Sequence, residues 1–346
     1  MILEDLRRIL IIRMSSLGDI ILTTPVLRLL RQYCPEAQIE FLVKAEYQDV
    51  LRENPCIDRL WLLDTRQPLR HMLQQLRQTR YDLVLDLHRT LRSRLLYRGV
   101  LSRRRLAYGK RTLRRALLVH LKWNALRAQT PVPELYAGPL RQLGMTAALS
   151  GTNMYIDTAS REAIRKDLAQ TFAAQTDRPL LSVAPGARWS TKRWPVERFA
   201  QVAQEMAARH NAGVVILGDA HDEPMAAELC RHLSVPVLNR VGQLSIMQTA
   251  ALLQRTRLLL SNDSGLMHMA TALQVPVVAV FGPTVPEFGF YPFQAQAQVL
   301  SHPMPCRPCS TKGSNRCPRR HHDCMQSVSS AQVVAAADAM WERAVP

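Results

Sequence analysis

The amino-acid sequence predicts an α/β protein made of two doubly wound halves, each a parallel sheet wrapped by helices, facing a central cleft. Three observations carry this. The chain has 346 residues, room for about two domains at roughly 150 residues each. Short apolar runs of strand length alternate with stretches of helical periodicity, as in βα units. The alternation pauses near residue 158 and restarts near residue 179.

In the first half, residues 1–158, strands are expected over Arg8–Met14, Gln38–Val43, Arg59–Leu63, Tyr81–Leu87 and Arg105–Tyr108. Helices are expected over Pro25–Tyr33, Tyr47–Glu53, Leu69–Gln78 and Leu91–Gly99. A polar helix (Ser160–Phe172) and the stretch Gln175–Pro179 make residues 159–178 the linker. In the second half, 179–330, the runs LLSVAPG, GVVILGD, VPVLNRVG, RLLLSND and PVVAVFGP read as strands that end in loops. Helices over Val196–Arg209, Pro224–Leu233, Ile246–Gln254 and Leu266–Ala272 separate them. Doubly wound sheets bind ligands outside the carboxyl ends of their strands, so those loops are where function is sought.

Composition narrows the classes. With 47% hydrophobic and 21% charged residues, the chain is neither disordered, collagenous nor a coiled coil. No run approaches the roughly 20 apolar residues of a membrane span, and the N-terminus lacks the features of a secretory signal, so a cytoplasmic location is expected. The formal charge of +17 implies an anionic partner. Most of it lies between Arg66 and Arg127, where 17 Lys and Arg face Asp82 and Asp86. That stretch has no interleaved aromatic platform and no nucleic-acid-binding motif.

Three loops could carry chemistry. Met14-Ser15-Ser16-Leu17-Gly18-Asp19 follows the first strand; with Gly18 alone it lacks the G-x-G-x-x-G of a dinucleotide site. Asp19 either caps the helix or faces the cleft as an acid. Pro185-Gly186-Ala187-Arg188-Trp189-Ser190-Thr191-Lys192-Arg193 supplies hydroxyls and cations suited to a diphosphate, without the spacing of a P-loop. Ser261-Asn262-Asp263-Ser264-Gly265-Leu266-Met267-His268 opens a helix whose free N–H groups of Ser264, Gly265 and Leu266 suit a phosphate. Asp263 would repel that phosphate and so would bind hydroxyls. Gly218-Asp219-Ala220-His221-Asp222-Glu223 resembles a ribose-hydroxyl acceptor.

Taken together, RMSSLGDIILTTPVLRLLRQYCPEAQIEFLV, APGARWSTKRWPVERFAQVA, LGDAHDE and SNDSGLMHMATALQVPVVAVFGPT resemble the ADP-heptose:lipopolysaccharide heptosyltransferases, inverting glycosyltransferases of GT-B fold. The resemblance runs over most of the chain and in order. It implies a base at Asp19, a diphosphate contact at Lys192, and donor-sugar and phosphate contacts at Asp263, Ser264, Gly265, Leu266 and His268, with Ser190 and Thr191 beside them. It places adenosine near Asp222, Glu223 and Leu244, the last in place of the family's methionine. It implies an ADP-heptose donor and an anionic lipid A-core acceptor at the inner face of the cytoplasmic membrane; the charge of the basic stretch offers Arg92, Arg94, Arg103, Arg104 and Arg105 to that acceptor, with Ser16 and Gly18 of the first loop beside them. No cofactor is expected for catalysis and no nucleic acid as partner. The last helix, within residues 331–346, is expected to pack back toward the N-terminal domain. Two other readings stand beside this one: a nucleotide-sugar epimerase of similar fold, and a basic nucleic-acid-binding protein.

The cysteines add a separate feature. Cys306, Cys309, Cys317 and Cys324, in an insert spanning 303–325, follow a C-x2-C-x7-C-x6-C pattern. Four thiolates so spaced can hold a structural zinc or iron, with His321 and His322 as substitute ligands; the alternative is reduced free thiols.

Overall fold

The computed structural model describes residues 5–126, 128–171 and 178–343. The chain forms two compact units. The first comprises Met1–Arg111 and Thr130–Tyr155, the second Thr112–Gln129 and Ile156–Pro346. In chain order the first unit holds β1 (Arg8–Ile12), α1 (Leu17–Ile21), α2 (Thr24–Tyr33), β2 (Gln38–Lys44), β3 (Arg59–Leu63), α3 (Leu69–Leu76), β4 (Tyr81–Asp86), α4 (Leu91–Gly99) and β5 (Ser102–Ala107). The helix α5 (Thr112–Leu121) belongs to the second unit, and α6 (Val132–Arg141) returns to the first.

The remainder of the second unit is α7 (Thr158–Thr171), β6 (Leu180–Ala184), α8 (Val196–His210), β7 (Gly213–Ile216), α9 (Glu223–Arg231), β8 (Val237–Asn239), α10 (Ile246–Gln254), β9 (Leu258–Asn262), α11 (Gly265–Ala272), β10 (Val277–Val280), β11 (Ala297–Leu300), α12 (Asp323–Gln326) and α13 (Ser330–Arg343).

Each unit is built on one parallel sheet. The first has the order β3-β2-β1-β4-β5 and the second β11-β10-β9-β6-β7-β8. Strands that run between two neighbours under helices read as continuous apolar runs, and β1, β6 and β9 are buried along nearly their whole length. In the first unit Glu40 ties three strands together, its Oε2 accepting from Trp61 Nε1 at 2.5 Å and Tyr81 OH at 2.7 Å. In the second, α8 buries Phe199, Ala200, Ala203, Met206 and Ala207, the i, i+3, i+4, i+7 stripe that a helix turns to its sheet.

Most expected elements appear within a few residues, and two readings need correction. Tyr47–Glu53 forms a 3₁₀ turn over Ala45–Val50 rather than a helix. The helix α5, hidden in the basic stretch, leaves its half of the sequence because Leu118, Val119 and Leu126 pack with Phe288 of the second unit. The polar helix expected in the linker is present as α7, held within the second unit by the pair Arg240–Asp167 at 2.6 Å and by Arg161 donating to Gln254 at 2.8 Å; residues 172–177 lie outside the described residues. The last helix, α13, buries an apolar stripe in the second unit, where Val333, Val334, Ala337 and Trp341 join the core of α8. Its Asp338 takes Arg209 at 2.6 Å and His210 at 2.8 Å.

Candidate active site

Each sheet has one point where the winding reverses, and crevices for ligands open there. In the first sheet β1 lies between β2 and β4, and in the second β6 lies between β7 and β9. The loops that follow β1, β6 and β9 are the three loops that the sequence marks for chemistry, so the topology explains why polar residues gather there.

Asp19 sits on the short helix α1 after β1 and is held at both oxygens. Oδ2 accepts from the Ser16 hydroxyl at 2.8 Å, as in a helix-capping arrangement. Oδ1 faces the guanidinium of Arg13 at 2.7 Å, with Tyr136 OH at 3.5 Å. Arg13 is the buried partner, its side chain 7% exposed against 22% for Asp19, and it also donates to Leu87 O at the end of β4 at 2.6 Å. Burial opposes the charge on Arg13, but the carboxylate of Asp19 and the nearby tyrosines outweigh it and hold the guanidinium protonated. The carboxylate is therefore presented from a cationic floor that spans the two strands of the switch point. The helix-cap reading of Asp19 is met by its bond with Ser16, and that contact leaves the acid reading open, since Oδ1 faces Arg13 instead.

Sequence reasoning passed over two residues here. Arg13 reads as an interruption in an apolar strand, and such an interruption is itself the signal, because a lone buried cation requires an anion. His88 closes β4 just past Asp86, whose carboxylate accepts from the backbone N–H of His88 and Arg89 at 2.8 and 2.9 Å. Burial pushes the His88 imidazole down to about 4, with Arg13, Lys110 and Lys44 acting in the same direction and Asp19 against. At neutral pH it is an uncharged imidazole within the electrostatic reach of the carboxylate.

In the second unit Lys192 and Asp263 form one pair. Nζ and Oδ2 lie 2.5 Å apart, with side chains 13% and 8% exposed, and Thr284 donates to the same oxygen at 2.8 Å. The two loops are stitched below them by Asn262, which accepts from Trp194 N at 3.0 Å and donates to Pro185 O at 2.7 Å. Ser264 is the N-cap of α11 but makes no side-chain cap bond; its hydroxyl meets Ser261 at 3.1 Å. The amides of Gly265 and Leu266 thus begin a helix end with no side-chain acceptor from its cap, and Lys192 stands by Asp263 just before it. A diphosphate suits such a place, because the ammonium and the helix end both favour negative charge. His268 is buried in α11, 5% exposed, one turn beyond that end.

The cysteine-rich insert braces this loop. Thr191 N and Oγ1 donate to Ser314 O at 3.1 and 2.8 Å, and Ser314 N returns a bond to Thr191 Oγ1 at 2.9 Å. His322 Nε2 meets Thr191 O at 2.9 Å. Gly313, with φ +104°, lies so close to Trp189 that a Cβ there would come within 2.8 Å of the ring. The Thr191 hydroxyl expected at a phosphate is therefore spent on the insert and buried, while Ser190 is exposed. Cys309 feels Cys317 and Cys306, and Cys324 feels the other three; burial, the larger cause, and these neighbours push Cys324 up to about 11 and Cys309 up as well. Among the described residues, however, no group of three or more His, Cys, Asp or Glu stands arranged to hold a metal ion.

Of the remaining expected residues, Asp222 is packed into room left by two glycines: a Cβ on Gly186 would lie 2.2 Å from its carboxylate, and one on Gly218 2.8 Å. Burial and Asp219 push its carboxyl up. It joins the ends of β6 and β7 rather than reaching outward, whereas Glu223 is exposed. Leu244 lines an open cavity of about 380 Å³ with Ile164, Arg240, Gln243 and Gln248. Gly18 is buried in α1. Arg92 and Arg94 project from α4 into solvent, whereas Arg103, Arg104 and Arg105 lie on β5, an edge strand. Edge charges also block strand pairing, and Arg105 is engaged with Tyr97 O and Val100 O at 2.9 and 2.6 Å.

Comparison with known proteins bears on the family and the fold. The model of glycosyltransferase family 9 (heptosyltransferase) matches residues 69–318. The chain is 30% identical over 331 residues to lipopolysaccharide heptosyltransferase 1 of Pseudomonas aeruginosa, covering 88% of this chain and 86% of that protein. Among solved structures, a family 9 glycosyl transferase from Veillonella parvula superposes with TM-score 0.82 at 24% identity, covering 99% of both chains. The Escherichia coli ADP-heptose lipopolysaccharide heptosyltransferase II superposes with TM-score 0.76 at 22% identity, over 97% of this chain and 99% of that one. The epimerase and nucleic-acid readings gain no support from these matches. Two doubly wound units, loops for chemistry at both switch points and a family match over most of the sequence lead to one conclusion: the chain is a glycosyltransferase that belongs to family 9, the heptosyltransferases.

Proposed function

We propose that this protein transfers a heptose, with inversion, from an ADP-heptose to the inner core of a lipopolysaccharide precursor at the cytoplasmic face of the inner membrane. The observation that carries it is the charged group that each unit offers at its own switch point. Asp19 offers a carboxylate backed by Arg13, and Lys192 offers an ammonium beside the start of α11. Asp19 takes the proton of the acceptor hydroxyl as its oxygen attacks the anomeric carbon and the bond to ADP breaks. General-base help of this kind is worth about 10²–10⁴-fold. Lys192 and the amides of Gly265 and Leu266 stabilise the charge that develops on the departing ADP.

The test is direct: purified protein, ADP-heptose and a heptose-deficient lipid A-core acceptor are expected to give an acceptor heavier by one heptose. No transfer to any truncated core would overturn the reading. No acidic metal-binding pair stands beside the phosphate loops in the sequence, so transfer should survive brief treatment with EDTA. That the four thiols take up a structural zinc or iron is part of the proposal, decided by elemental analysis: about one equivalent supports it and none removes it. Arg92, Arg94 and their neighbours would attract the anionic acceptor, each such cation being worth about 1 kcal/mol near an anionic surface.

A further inference from the structure

We infer that α5 and the turn after it dock into an anionic lipid surface by inserting apolar side chains, not by charge alone. One face of α5 is already used. Leu118 and Val119 are buried with Phe288, Arg115 donates to Phe288 O at 2.9 Å, and Lys122 donates to the carbonyls of Cys306 and Pro308, each at 2.8 Å. These contacts fix the helix to the second unit as a rigid element.

Among the described residues, nothing covers the other face. Leu113 and Leu121 are 73% and 67% exposed, and Trp123, just past the helix, is 63% exposed. Leu113, Leu117 and Leu121 recur at i, i+4 and i+8, one ridge along the helix whose two ends are exposed and whose middle, Leu117, is half-buried. Exposed single leucines are ordinary, but a ridge of them ending in a tryptophan is what an interfacial helix presents, with tryptophan at the headgroup level.

Charge selects the occupant. From His88 through Pro133 the sequence holds no Asp or Glu, and Arg114 and His120 flank the ridge in solvent. A second copy of this face would bring cations against cations, whereas an anionic leaflet neutralises them while its acyl boundary accepts the leucines. The first unit repeats the pattern on α4, where Leu91 and Leu95 are 76% and 54% exposed among Arg92, Arg94 and Arg98. This inference rests on the lipid-anchored acceptor proposed above and adds the means of holding the surface that carries it.

The experiment uses the full chain with vesicles of phosphatidylcholine alone or with about one third phosphatidylglycerol. Wild type should sediment with the anionic vesicles and keep part of that binding in high salt, since screening removes the exposed charge contribution and leaves insertion. The variant Leu113→Ser/Leu121→Ser/Trp123→Ser should bind on the order of 100-fold more weakly and lose the salt-resistant part. Its transfer to a delipidated, water-soluble core oligosaccharide should match wild type, which separates failure of docking from failure of the glycosyltransferase reading and shows that the variant folds. Trp123→Phe should abolish a vesicle-induced blue shift of emission. Variant binding equal to wild type, or wild-type binding that vanishes in salt, overturns the inference. So does a concentration-dependent dimer that the triple variant loses while vesicle binding stays the same, because the ridge would then cover a second copy.

Discussion

The two units solve the same problem with opposite polarity. In the first, the buried member of the ion pair is the cation, Arg13, and the carboxylate of Asp19 is the more exposed partner. In the second, Asp263 is the more buried, and the ammonium of Lys192 is the side that remains more accessible. An ion pair at a switch point therefore does more than neutralise charge. The inner partner orients the outer one and sets which sign is offered to a ligand, which in the proposed reaction is negative toward the acceptor hydroxyl and positive toward the departing diphosphate. Both inner partners are tied to a second strand or loop, Arg13 to Leu87 and Asp263 to Thr284, so neither outer group moves alone.

The largest expected effect tests the first polarity. Asp19→Asn should lower turnover by about 10²–10⁴-fold while ADP binding, measured by calorimetry, stays unchanged; equal turnover would remove Asp19 as the base. Lys192→Ala should lower kcat/KM for the donor by about 10²-fold and leave Asp263 buried without its cation, so the melting temperature should drop as well. Donor kinetics like those of wild type would break the comparison on the second side.

Arg13 sharpens it. Arg13→Met should reduce kcat by about 10-fold and move the acidic limb of the pH profile upward, because a carboxylate that loses its cation protonates at higher pH, whereas Arg13→Lys should restore much of both. A fall in stability with the limb in place would make Arg13 structural rather than positioning. Thr191→Val should have a smaller effect, a few-fold rise in donor KM, in keeping with the roughly 1 kcal/mol that a hydrogen bond contributes.

The smallest effect concerns His88. Its folded value of about 4 lies below the ordinary 6.5, so the unfolded chain takes up a proton first as pH falls. Stability should be undiminished by this group above about pH 6.5 and should be lost progressively down to about pH 4. In His88→Asn that part of the loss should disappear, as read from urea midpoints at pH 7 and pH 5.

Strands and helices with strong periodicity were legible residue by residue. Arg59–Leu63, Leu91–Gly99 and Ile246–Gln254 begin and end where the sequence pattern puts them, since side-chain period follows from local backbone geometry. The position of the three polar loops was legible too, since each directly follows a strand that the apolar runs mark, β1, β6 and β9. What the sequence left undetermined was partnership. Lys192 and Asp263 read as separate groups with separate tasks, Arg13 as an interruption, Thr191 as a ligand of phosphate, and α5 as charge belonging to its own half. Each depends on which strand lies beside which, and that is decided by long-range packing: Trp194, Phe199 and Val280 closing one core, and Phe288 drawing Leu118 out of the first unit into the second. Local periodicity is a property of a few consecutive residues, whereas an ion pair 71 positions apart, as between Lys192 and Asp263, exists only after the sheet that joins them has formed.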